Sequence, residues 1–152
     1  MAAENWIDSI TALWGAVDDG KGKYVKSYSV FKRAEFPEAL SEFPCAITYI
    51  TRVPTVLYSA GGPAVVVWQG VTEFHLVPDT KKSNIPYVIR FFDRIIRAAA
   101  SSITLGGLVS HFLLSNEEPL QPGSLVYGNE APHYGVVVNW IVKENPTITV
   151  GA

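Results

Sequence analysis

The stretch Ser83 to Gly107, SNIPYVIRFFDRIIRAAASSITLGG, constrains the chain more than any other. Ile85, Val88, Ile89, Phe92, Ile95, Ile96 and Ala99 recur at three- and four-residue steps. That period predicts a helix with one apolar stripe. Arg90, Asp93, Arg94 and Arg97 fall opposite it and make a cationic face. Ser83 or Asn84 can cap the start. Pro86 suits a first turn, where its missing N–H leaves no intrahelical bond unmade. Gly106-Gly107 ends the segment. Such a helix needs a flat apolar partner, and candidate strands stand on both sides of it.

A chain of 152 residues reads as one domain, residues 1–152. At this length about 70% of the unfolded surface is buried on folding, enough for a core without covalent staples. Charged residues make up 17%, against about 25% in ordinary soluble domains. Much of the surface is therefore uncharged, and uncharged surface is suited to protein interfaces. The single cysteine, Cys45, rules out an internal disulfide and fits a reducing compartment. The start, MAAENWIDSITALW, has neither the basic region nor the apolar run of a signal peptide. No run approaches the ~18 apolar residues of a membrane span. The net charge of −2 gives no case for general nucleic-acid binding.

Charge is divided along the chain. Lys21, Lys23, Lys26, Lys32 and Arg33 crowd near one end beside Asp18 and Asp19. Beyond residue 98 the only basic residue is Lys143, against Glu117, Glu118, Glu130 and Glu144. A division of this kind suits head-to-tail assembly, and solvated loops would produce it equally well.

In chain order, residues 3–15 form a short helix with Trp6, Ile7, Ile10, Leu13 and Trp14 on one face. DDGKGK is a turn or flexible loop. KYVKSYSVFKR alternates raggedly and suits an edge strand protected by lysines. AEFPEALSEFP is a proline-bearing connector. Cys45 to Val53 is a strand ending at Pro54. SAGGP is a turn, followed by a long strand from Ala64 to Val77 in which Gly70 marks a bulge or bend. After the main helix come a strand from Leu108 to Leu114 and a polar loop from Ser115 to His133. The last strand runs from Tyr134 to Lys143, with Tyr134, Val136, Val138, Trp140 and Val142 on one face. A short turn between the first two clear strands implies antiparallel pairing. The expected class is α+β: a mixed, mostly antiparallel sheet of four or more strands, with the long helix and the N-terminal helix packed on one face.

Few residues suggest chemistry. His75 and His111 lie inside strands, and Glu73 shares a strand face with His75. A Glu-x-His pair can contribute to a metal site, but a third ligand is wanting. Cys45 beside a histidine could act as a nucleophile, yet a cysteine opening an apolar strand is usually inert. Ala60-Gly61-Gly62-Pro63 reads as a turn rather than a phosphate cradle, and no nucleotide or hydrolase motif is present. Glu117 and Glu118 sit in a proline-rich loop, where adjacent carboxylates are ordinarily solvated. Tyr24, Tyr28 and Phe31 among the lysines would suit single-stranded nucleic acid, though a solvated edge accounts for them more simply. On these grounds the chain is not an enzyme and carries no cofactor or metal; an assembly subunit is the expected class.

The order of segments resembles a known family. It rests on the helix Trp6 to Trp14, the run Glu42-Phe43-Pro44-Cys45-Ala46-Ile47 before the first clear strand, and the long second strand. It rests also on Ile103-Thr104-Leu105-Gly106-Gly107-Leu108-Val109 after the main helix and on the late strand Gly135 to Val142. Together they resemble the tail terminator, or tail completion, proteins of long-tailed bacteriophages. The resemblance implies a non-catalytic virion protein that forms a hexameric ring at the head-proximal end of the tail. Such a ring stops tube polymerisation and docks to the head–tail connector. Implied partners are further copies of the chain, the tail tube protein, the connector or neck protein, and genome DNA passing through the lumen without sequence recognition; no membrane is involved. Lys21, Lys23, Tyr24, Lys26, Lys32, Arg33, Glu117 and Glu118 are the expected interface residues, with the basic loop departing from the family pattern. Alternatives are another neck, head-completion or tube subunit, or a small ligand-binding or enzymatic domain with a pocket between helix and sheet.

Overall fold

The computed structural model describes residues 2–29, 40, 42–59, 62–128 and 131–144. Helix α1 spans Ala2–Gly15 and helix α2 spans Ile85–Ser101, preceded by a 3-10 turn over Lys82–Asn84. Strands are β1 (Lys26–Ser29), β2 (Cys45–Ile50), β3 (Thr55–Ser59), β4 (Gly62–Val77), β5 (His111–Leu114), β6 (Leu120–Leu125) and β7 (His133–Glu144). The fold is α+β, with both helices and one seven-stranded mixed sheet among the described residues. Only β1 and β2 pair in parallel; every other described pair is antiparallel.

Two long strands form the axis of the sheet. β4 and β7 run antiparallel from Val66↔Glu144 to Val77↔Tyr134. On the outer side of β4, β3 covers its first half and β2 its second half. On the outer side of β7, β5 covers the end and β6 the beginning. β1 then closes the β2 side.

Both helices close on one face. Trp6, Ile7, Ile10 and Trp14 of α1 are fully buried, as their spacing predicts. They meet Phe74 of β4 and Phe112, Val136, Val138, Trp140 and Val142 across the sheet. Trp6 stands edge-on to Trp140 at 5.9 Å, and Trp14 edge-on to Phe74 at 5.3 Å, the geometry preferred by ring quadrupoles. The face of β7 follows its expected alternation: Val136, Val138, Trp140 and Val142 are buried.

Several expectations are corrected. α2 buries Val88, Phe91, Ile95 and Ala99, while Ile89 and Ile96 stay 54% and 46% exposed. Apolar residues cover so much of this helix that two adjoining stripes fit the period, and the sheet selects the one carrying Phe91. Pro86 does sit in the first turn, but Asn84 makes no side-chain cap; its amide donates to Asp79 Oδ1 at 2.6 Å. The helix ends at Ser101, and Leu105, Gly106 and Gly107 follow at positive φ. Leu105 is buried there, so Thr104 to Gly107 is a turn pinned to the core rather than the helix end.

β2 and β4 are antiparallel as expected, but β3 stands between them in the chain instead of a short turn. Gly70 is not a bulge: it pairs in register with Ile50 and Trp140, and the register shifts along β4 fall between His75 and Val77 and between Val65 and Pro63, opposite Leu57 and Tyr58. Within the expected loop Ser115 to His133 lies β6, whose Pro122 and Gly123 disguise it. Among the described residues it pairs with β7 alone, so it tolerates a proline that cannot donate. Most of the connector at 34–44 and the tail from 145 onward lie outside the described residues.

Candidate assembly surfaces

The basic segment is a built turn rather than a flexible loop. Asp18 and Tyr24 form a bridge, and Asp19 N–H donates to the Lys23 carbonyl. Asp19 Oδ1 accepts the N–H groups of Lys21 at 2.7 Å and Lys23 at 3.2 Å. Those bonds, that of Lys21 foremost, hold the Asp19 carboxyl below its ordinary value despite partial desolvation. α2 clamps the turn from beneath. Arg94 pairs with Asp18 at 2.7 Å, and the Tyr87 hydroxyl donates to Asp19 Oδ2 at 3.4 Å. Lys21, Lys23, Tyr24 and Lys26 are consequently displayed to solvent at the β1 end of the sheet. Lys32 and Arg33 lie outside the described residues.

Glu117 and Glu118 are exposed in the connection between β5 and β6, at the other end of the strand order. The Gln121 amide donates to the Glu118 carboxylate, and Asn139 Nδ2 donates to the Glu118 carbonyl at 2.9 Å. With Arg52, Gln69 and Ser115 these residues line an open polar cavity. The structure therefore does not bring the expected basic and acidic residues together. It sets Lys21, Lys23 and Lys26 beside one end of the sheet and Glu117 and Glu118 beside the other.

The sheet face away from the helices carries a polar chain. Cys45 opposes His75 in the β2–β4 register, and Ile47 opposes Glu73. The Tyr49 hydroxyl donates to Glu73 Oε2 at 2.7 Å; Glu73 Oε1 lies 3.5 Å from His75 Nε2; His75 Nδ1 and His133 Nδ1 are 3.0 Å apart. One of the two imidazoles must present a bare Nδ1 to the other. Burial raises the Glu73 carboxyl, but the nearby His75 imidazole and the hydrogen bond from Tyr49 outweigh it and leave the group below its ordinary value. Burial, reinforced by Glu73, pushes the Tyr49 phenol well up. Phe43 packs edge-on to His133 at 4.9 Å, and Tyr127 stands edge-on to His75 at 6.2 Å. Cys45 and His75 are both fully buried in this layer, and His111 stands apart, exposed on β5. Among the described residues no three His, Cys, Asp or Glu side chains group to hold a metal ion.

Two apolar surfaces escaped the sequence reading. The β3–β4 hairpin displays Val53, Val56, Leu57 and Tyr58, with Val53 88% and Tyr58 74% exposed. Val56 and Leu57 point to opposite faces of β3, and both are exposed. TVLYS, bounded by Pro54 and the glycines at 61 and 62, carries a strand signal, and it was hidden by the neighbouring turn residues. The second surface is a groove of about 250 Å³ between α2 and β5. Ile96, Ala99, Ala100 and Ile103 form one wall, and Phe112, Leu113 and Leu114 the other.

The fold and these surfaces define a two-layer α+β protein with unlike patches at the two ends of one sheet. In comparison with known proteins, no family model matches the chain, and no curated protein matches it in sequence. No helix among the described residues is long and apolar enough to cross a membrane.

Proposed function

We propose that this chain is a structural ring subunit of the tail-terminator kind. It caps the head-proximal end of a phage tail tube, ends tube polymerisation and joins the tail to the head connector. Copies of itself, the tube protein and the connector are its partners, and genome DNA passes through the lumen without sequence recognition. Its place is the virion, reached by assembly in the host cytoplasm. The role requires no catalytic residue, cofactor or metal.

One observation carries the reading: unlike surfaces stand at opposite ends of a single sheet. Lysines and the exposed Val56, Leu57 and Tyr58 of the hairpin lie on the side of β1, β2 and β3; carboxylates and an apolar groove lie on the side of β5 and β6. A head-to-tail contact between unlike patches closes into a ring when its rotation divides the circle.

The test is electron microscopy of cognate tail tubes assembled without their terminator and mixed with the purified protein. A six-fold ring at one end only is the expected image. Bare tubes beside a monodisperse monomer would overturn the proposal and turn attention to ligands for the polar cavity around Arg52 and Asn139.

A further inference from the structure

We infer that the groove between the end of α1 and the cationic face of α2 docks an acidic amphipathic helix of a partner protein. This contact lies on the helical layer and does not depend on the ring reading above.

Arg90, Arg94 and Arg97 stand at i, i+4 and i+7, so they form one row along α2. The end of α1 closes the other side. Leu13, Ala16 and Val17, with Ala98 of α2, give a cavity of about 570 Å³ an apolar floor. The three arginines are not equally engaged. Arg94 is committed to the turn: it pairs with Asp18 at 2.7 Å, and a Cβ on Gly20 would lie 2.5 Å from its Nη2. Arg97 pairs with Asp93 at 2.9 Å, but the two side chains are 79% and 68% exposed, and such a pair exchanges partners readily. Arg90 is exposed and, among the described residues, makes no ion pair. Two guanidiniums are thus open to a ligand beside an apolar floor.

Charge and spacing identify the occupant. Cations outnumber carboxylates around the groove, with Lys21, Lys23, Arg90, Arg94 and Arg97 against Asp18, Asp19 and Asp93, although the whole chain carries a net charge of −2. The groove therefore complements an acidic partner. Seven residues of helix rise about 10 Å. A second helix lying along α2 with carboxylates seven positions apart meets Arg90 and Arg97 together, each guanidinium taking a carboxylate in a two-point fork. Apolar side chains at the third and fourth positions between those carboxylates then enter the floor, the arrangement of helix-in-groove recognition. Nucleic acid fits less well. Asp18 and Asp93 line the groove and repel a continuous run of phosphates, and Leu13, Ala16 and Val17 offer no ring on which a base could stack.

The experiment titrates the full chain into a labelled synthetic helix of about 16 residues and reads fluorescence anisotropy. The probe carries Glu at two positions seven apart, with Leu at the third and fourth positions between them. A control peptide of the same composition has one Glu moved two positions, to the other side of the helix. The probe is expected to bind at least roughly tenfold more tightly than the control. Arg90→Glu should weaken that binding roughly tenfold, with the loss shrinking as salt rises. Its melting temperature should not move, because Arg90 is exposed. Ala16→Glu, which places a carboxylate on the exposed part of the floor, should weaken binding likewise. Equal binding of the two peptides, unaltered binding by Arg90→Glu, or failure of both peptides to bind overturns the proposal. An oligothymidylate of about 20 nucleotides that binds more tightly than the probe, and loses affinity in Arg90→Glu, reassigns the groove to phosphates and overturns the acidic helix. None of these outcomes involves tail tubes, so the ring reading stands or falls separately.

Discussion

The ring of Trp140 occupies the space that a side chain on Gly70 would need. The two residues oppose each other across β4 and β7, and the Tyr49 carbonyl closes the site to 2.8 Å from a Cβ at position 70. Trp140 has little freedom to retreat: its Nε1 donates to Thr72 Oγ1 at 3.2 Å, and Thr72 in turn meets Thr48 Oγ1 at 2.9 Å. Gly70→Ala should therefore overpack the centre of the sheet and lower stability by about 1–3 kcal/mol in urea unfolding. An unshifted midpoint would contradict the Trp140 placement.

α2 offers a paired comparison. Phe91 is fully buried, and Ile96 faces the groove. Phe91→Ala is expected to cost about 3–5 kcal/mol through lost burial and a residual cavity. Ile96→Ala should stay within about 1 kcal/mol in the isolated subunit, as a partly exposed position does. Equal losses at the two positions would mean that the helix is turned differently.

Acid should act through Glu73. Its folded carboxyl titrates below the ordinary 4.5 because His75 and Tyr49 favour the charged form over the opposing effect of burial. In the window below that value the unfolded chain binds more protons than the folded one. The stabilisation is thus complete above the ordinary carboxylate range and is lost as pH falls through the folded value. Urea midpoints measured from pH 6 down to 3 should fall less steeply for Glu73→Gln than for the unaltered chain. Parallel slopes would remove Glu73 from the acid response.

Charge reversal tests the exposed turn. Among the described residues the Lys21, Lys23 and Lys26 side chains make no hydrogen bond or ion pair, whereas Asp19 and Arg94 hold the turn in place. Replacing the three lysines by Glu should leave the thermal melt unchanged and slow assembly at low salt. The difference should shrink as salt rises, since exposed charges are screened within about 10 Å at 0.1 M. Identical assembly at every ionic strength would exclude this turn from the contact.

Much of the fold was legible because periodicity is local. Trp6, Ile7, Ile10 and Trp14 announce the buried face of α1, and alternation from Val136 to Val142 announces that of β7. Burial of one face imposes the period on both. By itself the sequence determined the helices, the main strands, the α+β class and the division of charge along the chain. Tertiary structure decided the rest. Phe91 is fully buried while Phe92 is only half-buried against the core and Ile96 stays exposed, because two stripes of α2 satisfy the same period and only contact with the sheet distinguishes them. β6 forms despite Pro122 and Gly123 because pairing with β7 supplies what local propensity withholds. Glu73, His75 and His133 meet because the fold brings two histidines 58 positions apart to within 3.0 Å, a distance no local pattern encodes. The exposed β3–β4 hairpin and the α2–β5 groove belong to the same class: exposure is a property of what packs above a residue, and that is settled only when the whole chain has folded.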